Sequence, residues 1–276
     1  MTPAERDSCG VGFIADISGK PTHSILRDAM CAVASMRHRG ALAADAKTGD
    51  GAGVLTQIPY GLLRRDIPIQ AADHDLAVGM IFMPQDSRER ELAAGVIEAA
   101  IIQTELRPVG WRNVPVNPDA LGPHARSTQP FISQVICARP DGWDDAAFDR
   151  ALYLCRRRIE RRSDEVEGPL YIASMSRRTI VYKGLFSSPQ LPRFYPDLED
   201  PAFETALAVF HQRYSTNTFP SWLLAQPFRF LAHNGEINTL QGNVSWMQAR
   251  EATLAPELLP IIQPGGSDSA MLDNVL

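Results

Sequence analysis

The chain has 276 residues, 45% hydrophobic and 21% charged, which favours one large globular domain with a substantial core. Its net charge of −5 provides no overall positive field for nucleic acid or an anionic membrane, and no apolar run approaches the roughly 20 residues that cross a bilayer. We therefore expect a cytoplasmic protein whose partners are small molecules or proteins, with no nucleic acid and no membrane.

The first predicted elements are a strand, a helix and two more strands. Alternation after Cys9 predicts a strand with one strongly buried face, formed by Val11, Phe13, Ala15 and Ile17. Apolar residues at helical spacing predict a helix over 23–38. Strands are expected at 54–58 and 76–82, and a capping pattern at Asp86 then predicts a long helix through Leu106.

The second half of the chain is also rich in strands. The predicted elements are a strand at 129–140, a helix from Asp144 to about 162, a hairpin at 170–184 and a loop at 186–202. The stretches 206–216 and 228–238 are each predicted to run as a strand into a polar end, and a helix follows at 238–251. Direct succession of strands favours an α+β fold of stacked sheets with helices outside. A helix that starts near 269 stops without a capping signal, so we expect a C-terminally truncated piece of a longer protein.

Four cysteines, Cys9, Cys31, Cys137 and Cys155, form no C-x-x-C pair and no cluster with histidine, which argues against zinc, iron–sulfur or dithiol chemistry in this chain. The last three lie in apolar segments and are predicted to be small core residues. Cys9 is different, because it heads a strand behind eight residues, MTPAERDS. These carry three charges and no apolar core, so they are not a secretory signal.

Several common motifs are weak or absent. The run GDGAG at 49–53 fits no phosphate-binding pattern and precedes a strand, so it predicts a tight turn. The basic run at 155–162 lies beside acidic residues and is interpreted as a solvated helix face. His211 and His233 are expected to form hydrogen bonds that support the neighbouring chain, because no further ligand lies at metal-binding spacing.

Four segments carry residues suited to chemistry. They are the strand that begins at Cys9 and the stretches 211–220, 232–239 and 264–270. Together they supply a thiol nucleophile, an arginine, an amide beside a glycine and an aspartate. Those groups are the parts needed to open a carboxamide that carries an amino-acid head group.

In this order the segments resemble a known family. They are similar to the class II glutamine amidotransferases and specifically to the glutaminase domain of the glutamate synthase large subunit. The stretches that carry the resemblance are spread from residue 9 to 276: CGVGFIA, RHRGA with GDGAGV, HQRYSTNTFPSW with AQPFR and AHNGEINT, and QPGGSDSA with LDNVL. The resemblance implies the four-layered αββα sandwich of N-terminal-nucleophile hydrolases. It also implies that residues 1–8 are a leader whose removal leaves Cys9 as the first residue of a domain over 9–276.

The resemblance assigns roles to individual residues. The Cys9 thiolate would attack the glutamine amide carbon, with its own α-amine as the base, and Asn234 and Gly235 would form the oxyanion hole. Arg213 would bind the α-carboxylate of glutamine and Asp268 its α-ammonium group. Gly51 and Thr216 are weaker candidates for lining the pocket.

The resemblance also implies partners and leaves alternatives open. The expected partners are L-glutamine and the synthase domains of the same subunit, and a small electron-transfer subunit is left open. No cofactor is expected in this chain, whereas FMN and an iron–sulfur cluster are expected in the missing part of the full enzyme, where ammonia would aminate 2-oxoglutarate. The alternatives are another class II amidotransferase, a freestanding glutaminase, and a catalytically silent fragment that binds glutamine or a partner.

Overall fold

A computed structural model of the chain describes residues 10–213, 218–235, 237–263 and 265–276. These residues form two four-stranded antiparallel sheets, the first in the order β1-β8-β2-β7 and the second in the order β4-β5-β3-β6. The strands are β1 Val11–Ala15, β2 Ala52–Gln57, β3 Leu76–Met83, β4 Arg107–Asn113, β5 Phe131–Ala138, β6 Tyr171–Ser176, β7 Thr179–Gly184 and β8 Leu207–Gln212.

Helices cover the sheets. They are α1 His23–Ser35, α2 Tyr60–Asp66, α3 Ser87–Gln103, α4 Pro123–Ser127, α5 Asp145–Arg161, α6 Leu191–Phe194, α7 Leu240–Glu251 and α8 Asp268–Val275. The predicted cap of α3 is confirmed, because the Asp86 carboxylate accepts the Arg88 and Glu89 N–H groups at 2.9 and 3.0 Å. This helix ends at Gln103 rather than at the predicted Leu106, and the next residues turn into β4.

Two hydrophobic clusters hold the layers together. One lies between the second sheet and the helices α3 and α5, with Ile81, Ile97 and Leu152 among its fully buried members. The larger cluster joins the other face of that sheet to the first sheet and to α1 and α2. The result is the predicted α+β sandwich, with helices packed on two antiparallel sheets.

The first strand is predicted correctly, but the predicted buried face is wrong. Phe13 is 71% exposed and Ile17 is fully exposed, whereas Ile14 on the opposite face packs against the core. Both faces of β1 carry apolar residues, so alternation alone could not choose between them. β1 also lies at the edge of its sheet, where one face is only partly covered.

The predicted hairpin at 170–184 forms two strands that do not pair with each other. β6 pairs with β3 in the second sheet, whereas β7 pairs with β2 in the first. The Ser176 hydroxyl accepts the N–H groups of Arg178 and Thr179 at 3.0 and 3.2 Å and so closes the turn between them. The connection therefore carries the chain from one sheet to the other.

Three further predictions are wrong, and one strand, β4, is not predicted from the sequence. The apolar stretch 228–234 is irregular and not a strand. The basic run on α5 is not a fully solvated face, because Arg156 and Arg157 are buried and both pair with Glu160. Cys31 is exposed, although Cys137 and Cys155 are buried as predicted.

Candidate active site

The residue that follows the predicted nucleophile is held from two sides. Cys9 itself lies outside the described residues, but Gly10 accepts the Gln212 N–H at 2.7 Å and donates its own N–H to the Asn234 side-chain oxygen at 3.0 Å. A Cβ at position 10 would lie 2.2 Å from the Gln212 carbonyl oxygen, so only glycine fits. Gly10 therefore ties the start of β1 to the end of β8 and to the Asn-Gly turn.

The bond to Gly10 fixes the orientation of the Asn234 amide. Since a backbone N–H must meet an oxygen, Oδ1 faces Gly10 and the Nδ2 group is directed elsewhere as a donor. The predicted role of Asn234 as an oxyanion donor needs such an amide N–H, and this role stays a prediction.

Gly235 adopts a left-handed backbone conformation, with φ of +89°. Its N–H donates to Nδ1 of His233 at 3.0 Å. The predicted role of this N–H as a second oxyanion donor stays a prediction, and it requires that this hydrogen bond be given up when the oxyanion forms.

Arg213 follows the end of β8, and its backbone N–H donates to the Gly51 carbonyl at 2.8 Å. Its side chain is buried, and its described hydrogen bonds go to neutral oxygens, the Asp50 carbonyl at 3.4 Å and the Thr218 hydroxyl at 2.7 Å. Burial lowers the pKa of Arg213, and the negative charges of Asp50 and Asp268 oppose that shift. The guanidinium is thus a buried cation whose described hydrogen-bond acceptors are uncharged.

Asp268 is the first residue of α8 and is buried. Its Oδ2 accepts the Ile237 N–H at 3.0 Å, which fixes the carboxylate against the segment that follows Gly235. Because its charge also acts on Arg213, the structure brings a buried anion and a buried cation into one electrostatic environment, as binding of a zwitterionic amino acid requires.

The two weaker candidates differ in outcome. Gly51 has φ of +130°, and a Cβ there would lie 3.0 Å from that of Ala225, so it permits a close approach of the chain and anchors Arg213. Thr216 lies outside the described residues.

Both histidines support the neighbouring chain, as predicted. Nε2 of His211 lies 3.1 Å from the His233 carbonyl oxygen, and since a carbonyl only accepts, this nitrogen carries the proton. Burial lowers the pKa of His211 to about 4, so its ring is neutral at physiological pH.

Sequence reasoning gave no role to Gln226, although it lies within the quoted AQPFR segment. Its side-chain amide accepts the His233 N–H at 2.8 Å and donates to the His233 carbonyl at 2.6 Å. The only available signal was its place in a segment similar to the family, because an isolated glutamine predicts nothing.

A second set of contacts holds the same loop to α8. Asp273 accepts the Phe230 N–H at 2.7 Å and pairs with Arg229 at 2.9 Å. The Ser269 hydroxyl lies 3.3 Å from Nδ1 of His233. Two backbone donors of this irregular segment, those of Phe230 and His233, are therefore satisfied by side chains and not by a neighbouring strand.

The described residues contain neither a metal-binding cluster nor a membrane-spanning helix. No group of three or more histidine, cysteine, aspartate or glutamate side chains among them is arranged to hold a metal ion. Within the same residues, no helix has the length and apolar character needed to span a membrane.

Comparison with known proteins shows the family of the chain. The sequence model of the class-II glutamine amidotransferases matches residues 9–276, and the chain belongs to that family. The domain that defines the family is an N-terminal cysteine amidotransferase.

The chain is similar in sequence to several glutamate synthases. The chain is 46% identical to the NADPH-type glutamate synthase large chain of Azospirillum brasilense and 46% identical to ferredoxin-dependent glutamate synthase 2 of Synechocystis, with 98% and 99% of the chain covered. It is 43% identical over 98% of its length to the large chain of the NADPH enzyme of Bacillus subtilis. The chain spans only 18 to 19% of the length of these relatives.

Proposed function

We propose that this chain is the glutaminase domain of a glutamate synthase and that it hydrolyses L-glutamine to glutamate and ammonia. The observation that carries the proposal is the bond from Gly10 to Asn234, which places the amide of an Asn-Gly turn beside the residue that follows Cys9. Family membership supports the same reaction.

In the proposed reaction the Cys9 sulfur attacks the carboxamide carbon of glutamine. A free cysteine α-amine, with a pKa of about 8, accepts the thiol proton and delivers it to the departing ammonia. The C–N bond breaks and a glutamyl thioester remains. Water then attacks the thioester, releasing glutamate and restoring the thiol.

The base requires a free amine, so the proposal includes removal of residues 1–8. While Ser8 is bonded to Cys9, that nitrogen belongs to a peptide amide and cannot accept the proton. Nδ2 of Asn234 would stabilise the oxyanion, a contribution of about 3 kcal/mol for one such donor.

Recognition of the amino-acid head group is assigned to two buried charges. Arg213 would receive the α-carboxylate, because its planar fork can bind both carboxylate oxygens and its described partners are neutral. Asp268 would receive the α-ammonium group, because its carboxylate is buried and fixed by Ile237.

The fate of the ammonia belongs to the parts of the relatives that this chain does not cover. There it would aminate 2-oxoglutarate, with FMN and an iron–sulfur cluster supplying electrons and with a small electron-transfer subunit as a further partner. A cytoplasmic location is part of the same proposal. Equal identity to an NADPH-type and a ferredoxin-dependent relative does not favour either electron donor.

The test is an ammonia-release assay on purified protein whose first residue has been identified by intact mass. Protein that begins at Cys9 is expected to hydrolyse glutamine, and Cys9→Ala is expected to abolish the activity. Cys31→Ala is the matched control, because that exposed cysteine has no proposed role and should leave the rate unchanged. Protein that begins at Cys9 but releases no ammonia would instead support a silent binding fragment.

A further inference from the structure

We propose that Gln226 is a positioning residue, which sets the place of the Asn234 side chain by holding the backbone of His233. This inference rests on the proposed glutamine hydrolysis and adds to it a residue that touches neither the substrate nor the reacting atoms. Its basis is a set of hydrogen bonds that converge on one residue of the loop.

The Gln226 side chain holds both backbone groups of His233. Oε1 accepts the His233 N–H at 2.8 Å and Nε2 donates to the His233 carbonyl at 2.6 Å. Nε2 of His211 donates to the same carbonyl at 3.1 Å. One side chain thus replaces the backbone partner that a neighbouring strand would supply.

The glutamine is itself anchored to the first sheet. A Cβ on Gly53 of β2 would lie 2.7 Å from the Gln226 carbonyl oxygen and 2.6 Å from Cβ of Lys183. The absence of a side chain at Gly53 therefore lets residue 226 lie against β2. Nζ of Lys183, a buried side chain on β7, donates to the Leu223 carbonyl at 2.9 Å and holds the same segment.

This arrangement links β2 to the proposed oxyanion donor. Asn234 directly follows His233, and its bond to Gly10 measures 3.0 Å. A shift of about 1 Å would lengthen that bond beyond the hydrogen-bonding range, and displacements of this size at a reacting centre can cost about 100-fold in rate. Losing the Gln226 contacts should therefore reduce turnover more than glutamine binding, which is assigned to Arg213 and Asp268.

Gln226→Glu separates a positioning role from simple packing. The introduced carboxyl keeps the shape and can still accept the His233 N–H, but it can donate to the His233 carbonyl only when protonated. Burial and the facing carbonyl both favour the protonated form. The titratable groups nearest to it in the described residues include His211 on β8, His233 on the loop and Lys183 on β7. The charged groups that act on His211 or Lys183 include Arg213, Arg229 and Asp273.

Gln190 offers a matched control on the turn that precedes α6. It is also buried, its Oε1 accepts the Ser187 N–H at 2.8 Å and its Nε2 donates to the Ala120 carbonyl at 2.6 Å. Gln190→Glu therefore makes the same chemical change in a similar buried backbone contact that has no proposed role in the reaction.

The experiment measures kcat and KM for glutamine from about pH 6 to pH 8, with rates divided by the fraction of protein that an electrophilic glutamine analogue labels at Cys9. For Gln226→Glu we expect kcat to fall about 10- to 100-fold at pH 8, with KM within about threefold of wild type, and the deficit to shrink at least about fivefold by pH 6. Gln190→Glu should show no such dependence. A corrected kcat equal to wild type, or a deficit that does not change with pH, would overturn the proposal.

A wild-type protein without glutaminase activity would mean that the proposed function fails, and this outcome is distinguishable. The positioning contact is then judged by hydrogen exchange of the His233 amide. Exchange is expected to quicken at least about tenfold in Gln226→Met and to stay unchanged in Gln190→Met. Unchanged exchange in Gln226→Met would refute the contact itself.

Discussion

Replacing Asn234 with aspartate separates the two roles that its side chain combines. Oδ1 accepts the Gly10 N–H at 3.0 Å, which is a structural role, whereas Nδ2 is the proposed donor to the oxyanion. Asn234→Asp keeps an acceptor for Gly10 and removes the donor. Asn234→Ala removes both.

The expected magnitudes follow from these contacts. Loss of one oxyanion donor costs about 3 kcal/mol of transition-state stabilisation, which is about a 150-fold fall in kcat. The bond to Gly10 is an ordinary hydrogen bond, with a net value of about 1 kcal/mol, so losing it alone would slow the reaction about fivefold. The negative charge of the aspartate would add to the deficit, because it faces a developing oxyanion.

The assay is ammonia release at saturating glutamine, on protein shown by mass to begin at Cys9. Asn243→Asp is the control, because this asparagine lies on α7 and its side chain donates only to the exposed Asn238 carbonyl among the described contacts. That variant should retain the wild-type rate.

The two Asn234 variants distinguish a catalytic from a purely structural role. If the amide donates to the oxyanion, Asn234→Asp will be at least as slow as Asn234→Ala. If the amide serves only to hold Gly10, Asn234→Asp will be close to wild type while Asn234→Ala is about fivefold slower. That second pattern would refute the assignment of Asn234 to the oxyanion hole.

Three further variants test other parts of the site. Arg213→Lys should raise KM for glutamine about 10- to 100-fold with little change in kcat, because lysine keeps the charge but lacks the planar guanidinium that can bind both carboxylate oxygens. An unchanged KM in steady-state kinetics would contradict the assignment of Arg213 to the α-carboxylate. Gly51→Ala should lower the free energy of unfolding, measured in urea, by about 1–3 kcal/mol, because φ is +130° and the new Cβ would lie 3.0 Å from that of Ala225. Gly19→Ala should lower this free energy less, because φ is +73° there but no atom lies within 4 Å of the new Cβ. His211 has its pKa lowered from 6.5 to about 4, so between these values the unfolded chain binds more protons, and the free energy of unfolding decreases by about 3 kcal/mol in total as the pH is lowered from about 6.5 to about 4. His211→Gln should flatten this dependence in urea titrations, whereas a variant of the exposed His74 should not.

The sequence predicted the strands and helices well where one face is consistently apolar. β3 and β5 are buried along most of their length and formed close to their predicted ends. It failed where tertiary partners decide the outcome. Phe13 is exposed on β1, which lies at a sheet edge, and β6 and β7 pair with strands of two different sheets.

In the candidate site, too, some residues can be predicted from the sequence and others only from tertiary contacts. Cys9, Asn234, Arg213 and Asp268 could be proposed from the sequence because they lie in segments that resemble one family. Gln226 could not be given a role, because its importance lies in which backbone groups it meets across the fold. The apolar pattern at 228–234 predicts a strand, and only the structure reveals that Asp273 and Gln226 accept the N–H groups of Phe230 and His233 instead.

The buried arginines explain why Arg213 is the strongest candidate for a ligand-binding residue. A buried charge is costly unless it is paired, and the other buried arginines follow that rule: Arg112 pairs with Asp197 at 2.7 Å, and Arg156 and Arg157 both pair with Glu160. Arg213 is equally buried, yet its described hydrogen bonds reach only a carbonyl and a hydroxyl, while Asp50 and Asp268 act on it through their charges. Among the described contacts, Arg213 therefore differs from the other buried arginines in having no carboxylate within hydrogen-bonding distance. This difference supports the proposal that the α-carboxylate of an amino-acid substrate binds there.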